Sequence, residues 1–131
     1  MSRLMAILAL PLTACVAVCP PEIRSERSAA AGPPTTASFA DLHHDDVVKR
    51  LRDTPLQIAG RMWCGIDTQN LGPADAQELR FEDSVRVYSK DRAIASTLCK
   101  CRGRRLRLTG IFTPHSGSAL GSLDVMDLEC Q

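Results

Sequence analysis

The chain has 131 residues, a net charge of +1 and 24% charged side chains. It has room for one domain, and taken whole it is not a polyelectrolyte suited to nucleic acid or an anionic membrane surface, so any electrostatic partner must be met by a local patch. Five aromatic residues, Phe39, Trp63, Phe81, Tyr88 and Phe112, leave little breadth for platforms that stack bases or sugars.

Met1 to Ala14 carries a positive charge at Arg3 and then the apolar run Leu4-Met5-Ala6-Ile7-Leu8-Ala9-Leu10, interrupted by Pro11. A permanent transmembrane helix needs about 20 apolar residues, so this run reads as a secretory signal. The closing Leu12-Thr13-Ala14-Cys15 resembles the lipobox of bacterial lipoproteins. That resemblance implies cleavage before Cys15, a diacylglyceryl thioether on its sulfur, and stable membrane anchoring by two or three acyl chains. A plain signal peptide cut further on, leaving a soluble periplasmic protein, is the alternative. Cys19 is the poorer acceptor, because Val18 sits where the lipobox takes a small residue. Val16 after the lipidated cysteine implies outer-membrane sorting, by resemblance to enterobacterial lipoproteins.

Residues 15–38 read as the lipidated N-terminus and a flexible tether, rich in Pro, Ala, Ser, Thr and Gly with no buried periodicity. The folded domain is then 39–131. Ser38 or Asp41 can cap a helix running to about Arg52, with Phe39, Leu42, Val47, Val48 and Leu51 as its apolar residues and Pro55 beyond its end. Leu56, Ile58, Gly60, Met62, Cys64 and Ile66 alternate as in a half-buried strand that Gly60 and Gly65 allow to bend. A loop follows from Asn70 to Gln77. Leu79 and Phe81 then suggest one arm of a hairpin, Asp83-Ser84 its turn, and Val85 and Val87 the other arm. Asp91 can cap a short helix through Ala93, Ile94, Ala95 and Leu98. Leu106, Leu108, Gly110 and Phe112 mark one face of a further strand, Pro114 to Gly121 a loop, and Leu123 to Cys130 the last strand. The last alternation changes phase between Val125 and Met126, the mark of a bulge.

In this order of elements the chain resembles an OB-fold, a five-stranded barrel with a helix between its third and fourth strands. The residues that carry the likeness are Ile58-Ala59-Gly60-Arg61-Met62, the Leu79 to Tyr88 segment, the helix after Asp91, and Arg105-Leu106-Arg107-Leu108-Thr109-Gly110. The fold expected is mainly β with short helices, an OB-like barrel preceded by an N-terminal helix. A fold of this kind hosts many activities and does not assign one.

Roughly ninety folded residues bury only about 60 to 65% of their unfolded surface, so covalent staples matter. Cys64, Cys99, Cys101 and Cys130 read as disulfide partners in an oxidising envelope, with metal ligation or reactive thiols as the alternatives. The preferred arrangement joins one of Cys99 and Cys101 to Cys64 and the other to Cys130. His43-His44-Asp45-Asp46 holds metal-ligand residue types, but adjacent helical side chains diverge by about 100° and make a solvated face. His115 with Ser116 and Ser118 lacks a nucleophile elbow and an orienting carboxylate. No catalytic set, metal site or cofactor motif is visible.

The densest charge is Lys100, Arg102, Arg104, Arg105 and Arg107. With Arg61, Trp63 and Tyr88 as outward residues it forms a candidate binding patch for an envelope protein or polymer. Trp63 can instead be the cover between strand and N-terminal helix. The functional expectation is a non-catalytic, lipid-anchored envelope protein carrying a small binding module. The alternative is an OB-fold for single-stranded nucleic acid, against which the export signal and the balancing acidic residues stand.

Overall fold

The structure, a computed structural model, describes residues 19–131. Its centre is a barrel whose strands follow from period-two burial. In β3 (Pro55–Cys64) the side chains of Leu56, Ile58 and Met62 are sealed from solvent while Gln57, Ala59, Arg61 and Trp63 point outward. β4 (Gln69–Gly72) returns antiparallel to β3, and β5 (Val85–Tyr88) lies antiparallel to β4. The long hairpin β6 (Arg105–Ser116) and β7 (Ala119–Cys130) completes the wall: β6 pairs β3, and β7 pairs β5 in parallel. The closed circuit β3-β4-β5-β7-β6, with α3 (Arg92–Ala95) and a 3-10 turn (Leu98–Cys101) between β5 and β6, is the OB-like barrel expected. Leu71, Val85, Val87, Leu106, Leu108, Phe112, Leu123, Val125 and Leu128 fill it.

Two features of the sequence set its curvature. β3 leaves β6 and joins β4 near Arg61, and there a side chain on Gly60 would collide with the Gly72 carbonyl and lie 2.9 Å from the Phe39 ring. In β7 the register passes from Thr109↔Asp127 to Gly110↔Val125, so Met126 has no opposite residue: the phase change read in the sequence is a bulge.

The described part of the supposed tether is not loose chain. β1 (Glu22–Arg24) pairs antiparallel with β7, α1 (Glu26–Ala31) follows, β2 (Thr35–Thr36) pairs parallel with β3, and Cys19 and Ala37 are buried. The reason lies in the barrel edges. β5 covers β7 only through Asp124 and β4 reaches β3 only from Arg61, leaving backbone at Asp127–Glu129 and Leu56–Gln57 for β1 and β2 to satisfy. Arg27 of α1 fastens the segment, donating to Asp91 at 2.6 and 3.0 Å and to Asp124 at 2.9 and 3.0 Å. Asp91 stands at the N-cap position of α3, yet its side chain makes no cap bond and serves Arg27 instead.

Three other expectations are corrected. The N-terminal helix is a 3-10 turn (Asp41–His43) followed by α2 (Asp45–Leu51). Ser38 caps the turn reciprocally: the Asp41 N–H donates to its Oγ, and its own N–H donates to the Asp41 carboxylate. Hydrogen bonding to the carboxyl by the Ser38 backbone N–H, and next by the Ser38 side chain, holds Asp41 below the usual carboxylate range. The partner of β5 is β4, inside the stretch expected as loop, because Phe81–Asp83 forms a 3-10 turn and Leu79 lies in no strand. Finally, the Pro114 to Gly121 loop is mostly strand. The turn between β6 and β7 is tight around Gly117, whose φ of 62° is free to a glycine.

Candidate functional site

Val85-Arg86-Val87-Tyr88 alternates, so the two valines enter the core and Arg86 and Tyr88 face outward. Arg86 stands between Asn70 on β4 and Ser122 on β7. Asn70 is outward too, but covered: its Nδ2 donates to Ser84 Oγ at 2.9 Å, and Ser84 Oγ donates to the Phe81 carbonyl at 3.0 Å. This chain of bonds pins the 3-10 turn over β4 and holds Phe81 at the rim.

Two shallow depressions flank Arg86 and share it with Thr68. The smaller, about 170 Å³, takes in Asn70, Phe81 and Ser118; the larger, about 510 Å³, takes in Ile66, Tyr88 and Cys99. The large apolar side chains exposed among the described residues are Ile66 at 100%, Tyr88 at 44% and Phe81 at 42%, and all three border these depressions. Arg86 forms no ion pair among the described residues. OB barrels receive ligands on this face, made by the second and third strands with the loops joining strands one to two and four to five. Here those parts are β4, β5, the Gly65–Thr68 loop and the turn at Gly117.

Of the residues singled out from sequence, Tyr88 belongs to this face. Arg61 and Trp63 point outward from β3 but are half-buried, Arg61 opposite Gly72 and Arg105, Trp63 opposite Asn70. The Trp63 ring edge lies 3.3 Å from where a Gly72 side chain would begin, and its Nε1, like Arg61 Nε, is buried without a partner. Trp63 is therefore a cover over β4. Lys100 in the 3-10 turn, Arg102 and Arg104 on the link to β6, and Arg105 at the start of β6 are exposed, and none lines either depression. Arg107 pairs with Glu129 at 2.9 Å. Sequence reasoning missed Ile66, Phe81 and Arg86. For Arg86 the signal was present, since it alternates with Val85 and Val87.

Cys64 is bonded to Cys99 and Cys101 to Cys19, with S–S distances of 2.06 and 2.04 Å. Cys101 does not pair with Cys130, because the N-terminal segment packs beneath the 3-10 turn and buries Cys19 against Cys101. Cys130 is itself disulfide-bonded. Such bridges belong to an oxidising, extracytoplasmic setting. Cys15, the lipidation candidate, and residues 1–14, expected as a signal peptide, lie outside the described residues. Among the described residues no group of His, Cys, Asp or Glu could hold a metal ion. His43 Nε2 meets Asp83 at 3.2 Å, and His115 is exposed near the β6–β7 turn.

No protein family matches the chain, and no curated protein does. Two solved structures are similar in part, each at 10% identity with a TM-score of 0.48. One is a DUF3299 family protein from Pseudomonas aeruginosa PAO1, covering 76% of this chain and 97% of that one. The other, assigned as an aspartyl-tRNA synthetase from Leishmania major Friedlin, covers 82% of this chain and 23% of that one. Neither likeness bears on what this chain binds.

Proposed function

We propose that the protein is an exported, non-catalytic envelope module that holds a protein or polymer partner on the β4–β5 face, with membrane anchoring at Cys15. The observation that carries the binding reading is the gathering of Ile66, Phe81 and Tyr88 around Arg86, which has no ion-pair partner among the described residues. Exposed aromatic and apolar side chains grouped with a free guanidinium are what contact surfaces are made of. The disulfides support export.

The test is a photo-crosslinking amino acid at position 88 in the protein expressed from its full gene. It is expected to capture one envelope species, and the adduct is lost when Phe81→Ser and Arg86→Ala are added to a protein that still melts cooperatively. Adducts identical to those from position 113, an exposed site on β6, would reject the face. Intact mass of the same preparation decides the anchor. An added acyl mass on Cys15 supports it, and its absence rejects it.

A further inference from the structure

We infer that the cationic rim formed by Lys100, Arg102, Arg104 and Arg105 is a docking surface for anionic phospholipid headgroups, on the side of the domain from which the anchor leaves. The inference rests on the anchored reading for orientation. Cys19 is bonded to Cys101, which sits between Lys100 and Arg102, and the Cys130 N–H donates to the Pro21 carbonyl at 2.8 Å. The described chain therefore begins at the base of this rim. Cys15 is four residues upstream, a reach of at most about 14 Å, so a membrane holding Cys15 lies within that distance of Cys19, whose disulfide partner Cys101 sits between Lys100 and Arg102.

The rim is built to present charge outward. The Gly103 N–H donates to the Met62 carbonyl at 2.7 Å, the Arg104 N–H to the Cys101 carbonyl at 2.9 Å, and the Met62 N–H to the Arg104 carbonyl at 3.0 Å. Gly103 takes a φ of 79°, which closes the turn. The four side chains are exposed and make no ion pairs among the described residues, and Arg61 stands directly opposite Arg105 on β3. Beside the cations is an apolar tip: the Cys64–Cys99 bridge joins the strand end two residues before Ile66 to the residue before Lys100, and Ile66 is fully exposed. Basic residues next to an exposed aliphatic side chain suit the headgroup boundary of a bilayer better than a base-stacking groove.

The experiment uses the purified product of the full gene, reconstituted with vesicles of phosphatidylcholine alone or of phosphatidylcholine with an equal share of phosphatidylglycerol. Acetylation of Lys100 is followed by mass spectrometry, with the exposed Lys49 on α2 as reference. Phosphatidylglycerol is expected to slow Lys100 labelling about fivefold or more, the worth of roughly one cation near such a surface, while Lys49 is unchanged. About 0.5 M salt restores the rate. Arg102→Gln with Arg104→Gln and Arg105→Gln abolishes the protection. Equal labelling on both vesicles, or protection surviving the triple substitution, overturns the inference. Protection by oligothymidylate without any by phosphatidylglycerol overturns it in favour of single-stranded nucleic acid. Absence of an acyl mass removes the anchored reading alone, because headgroup-dependent protection is read independently of it.

Discussion

Arg27→Met tests whether the N-terminal segment belongs to the domain. The guanidinium is about one-third exposed, but the Asp124 side chain it serves is only 7% exposed and that of Asp91 27%. Burial alone pushes the Asp124 carboxyl up; hydrogen bonds from Arg27 and from the Lys90 backbone N–H outweigh it and hold the group below its ordinary 3.8. The same bonds raise Arg27 further above its already basic range. Removing one partner of a fully buried pair costs about 3–5 kcal/mol, and the exposure of Arg27 reduces this to about 2–3 kcal/mol at neutral pH. With a urea m-value of about 1.5 kcal/mol/M for a domain of this size, the midpoint falls by about 1.3–2 M. Urea carries no charge and leaves the pair unscreened. The pH dependence has a definite sign. In the parent, the lowered Asp124 contributes stability that is present above 3.8 and is lost as pH drops through its depressed value. In the variant, burial is opposed by less, the carboxyl shifts upward, and its penalty at neutral pH is relieved as it protonates. The gap between the two proteins therefore narrows on acidification to about pH 3. A midpoint change under about 0.3 M at pH 7, or a gap that stays constant down to pH 3, would refute the clamp.

The disulfides close loops of different length. Replacing Cys19 and Cys101 by Ser, with a sequence separation of 82, is expected to cost about 4.5 kcal/mol, and replacing Cys64 and Cys99, with a separation of 35, about 3.8 kcal/mol; urea unfolding of the two double variants reads the order. Gly121→Ala places a methyl 2.5 Å from Phe112 Cζ and is expected to destabilise by more than about 2 kcal/mol, whereas Gly117→Ala, with open space around it but a φ of 62°, costs about 1 kcal/mol. Thermal melts of both variants compare a collision with a backbone strain. Arg107→Ala removes a pair whose side chains are 42% and 46% exposed, and its melting midpoint is expected to correspond to a change of no more than about 0.5 kcal/mol.

The barrel was legible where alternation runs long enough to outlast ambiguity. β3, β6 and β7 each place apolar residues on one face over ten or more positions, and even the Met126 bulge left a phase change. β4 was illegible for the converse reason: Gln69-Asn70-Leu71-Gly72 holds one apolar side chain, and it becomes a strand only because β3 and β5 offer it both edges. β1 and β2 are shorter still and exist to satisfy barrel backbone that no local pattern announces. The expected bridge from Cys130 to one of Cys99 and Cys101 failed with them, since Cys19 reaches Cys101 only once the segment carrying it is folded down.

The candidate face depends on these long-range facts more than on any motif. Ile66 continues the in-phase series Leu56, Ile58, Met62, Cys64 and so reads as another inward residue. The strand stops at Cys64, and the Gly65 N–H turns the chain by donating to the Thr68 carbonyl at 2.9 Å. Two residues beyond the last paired position, the same alternation that would bury Ile66 leaves it in water. Phe81 is displaced likewise, from an expected strand arm to a turn held by Ser84. A side chain is expelled where the element carrying it ends, and that endpoint is fixed by partners distant in sequence. For this reason the exposed apolar residues are set by closure of the barrel, while the cationic rim is written in residues close together along the chain and only its position over Cys19 depends on the fold.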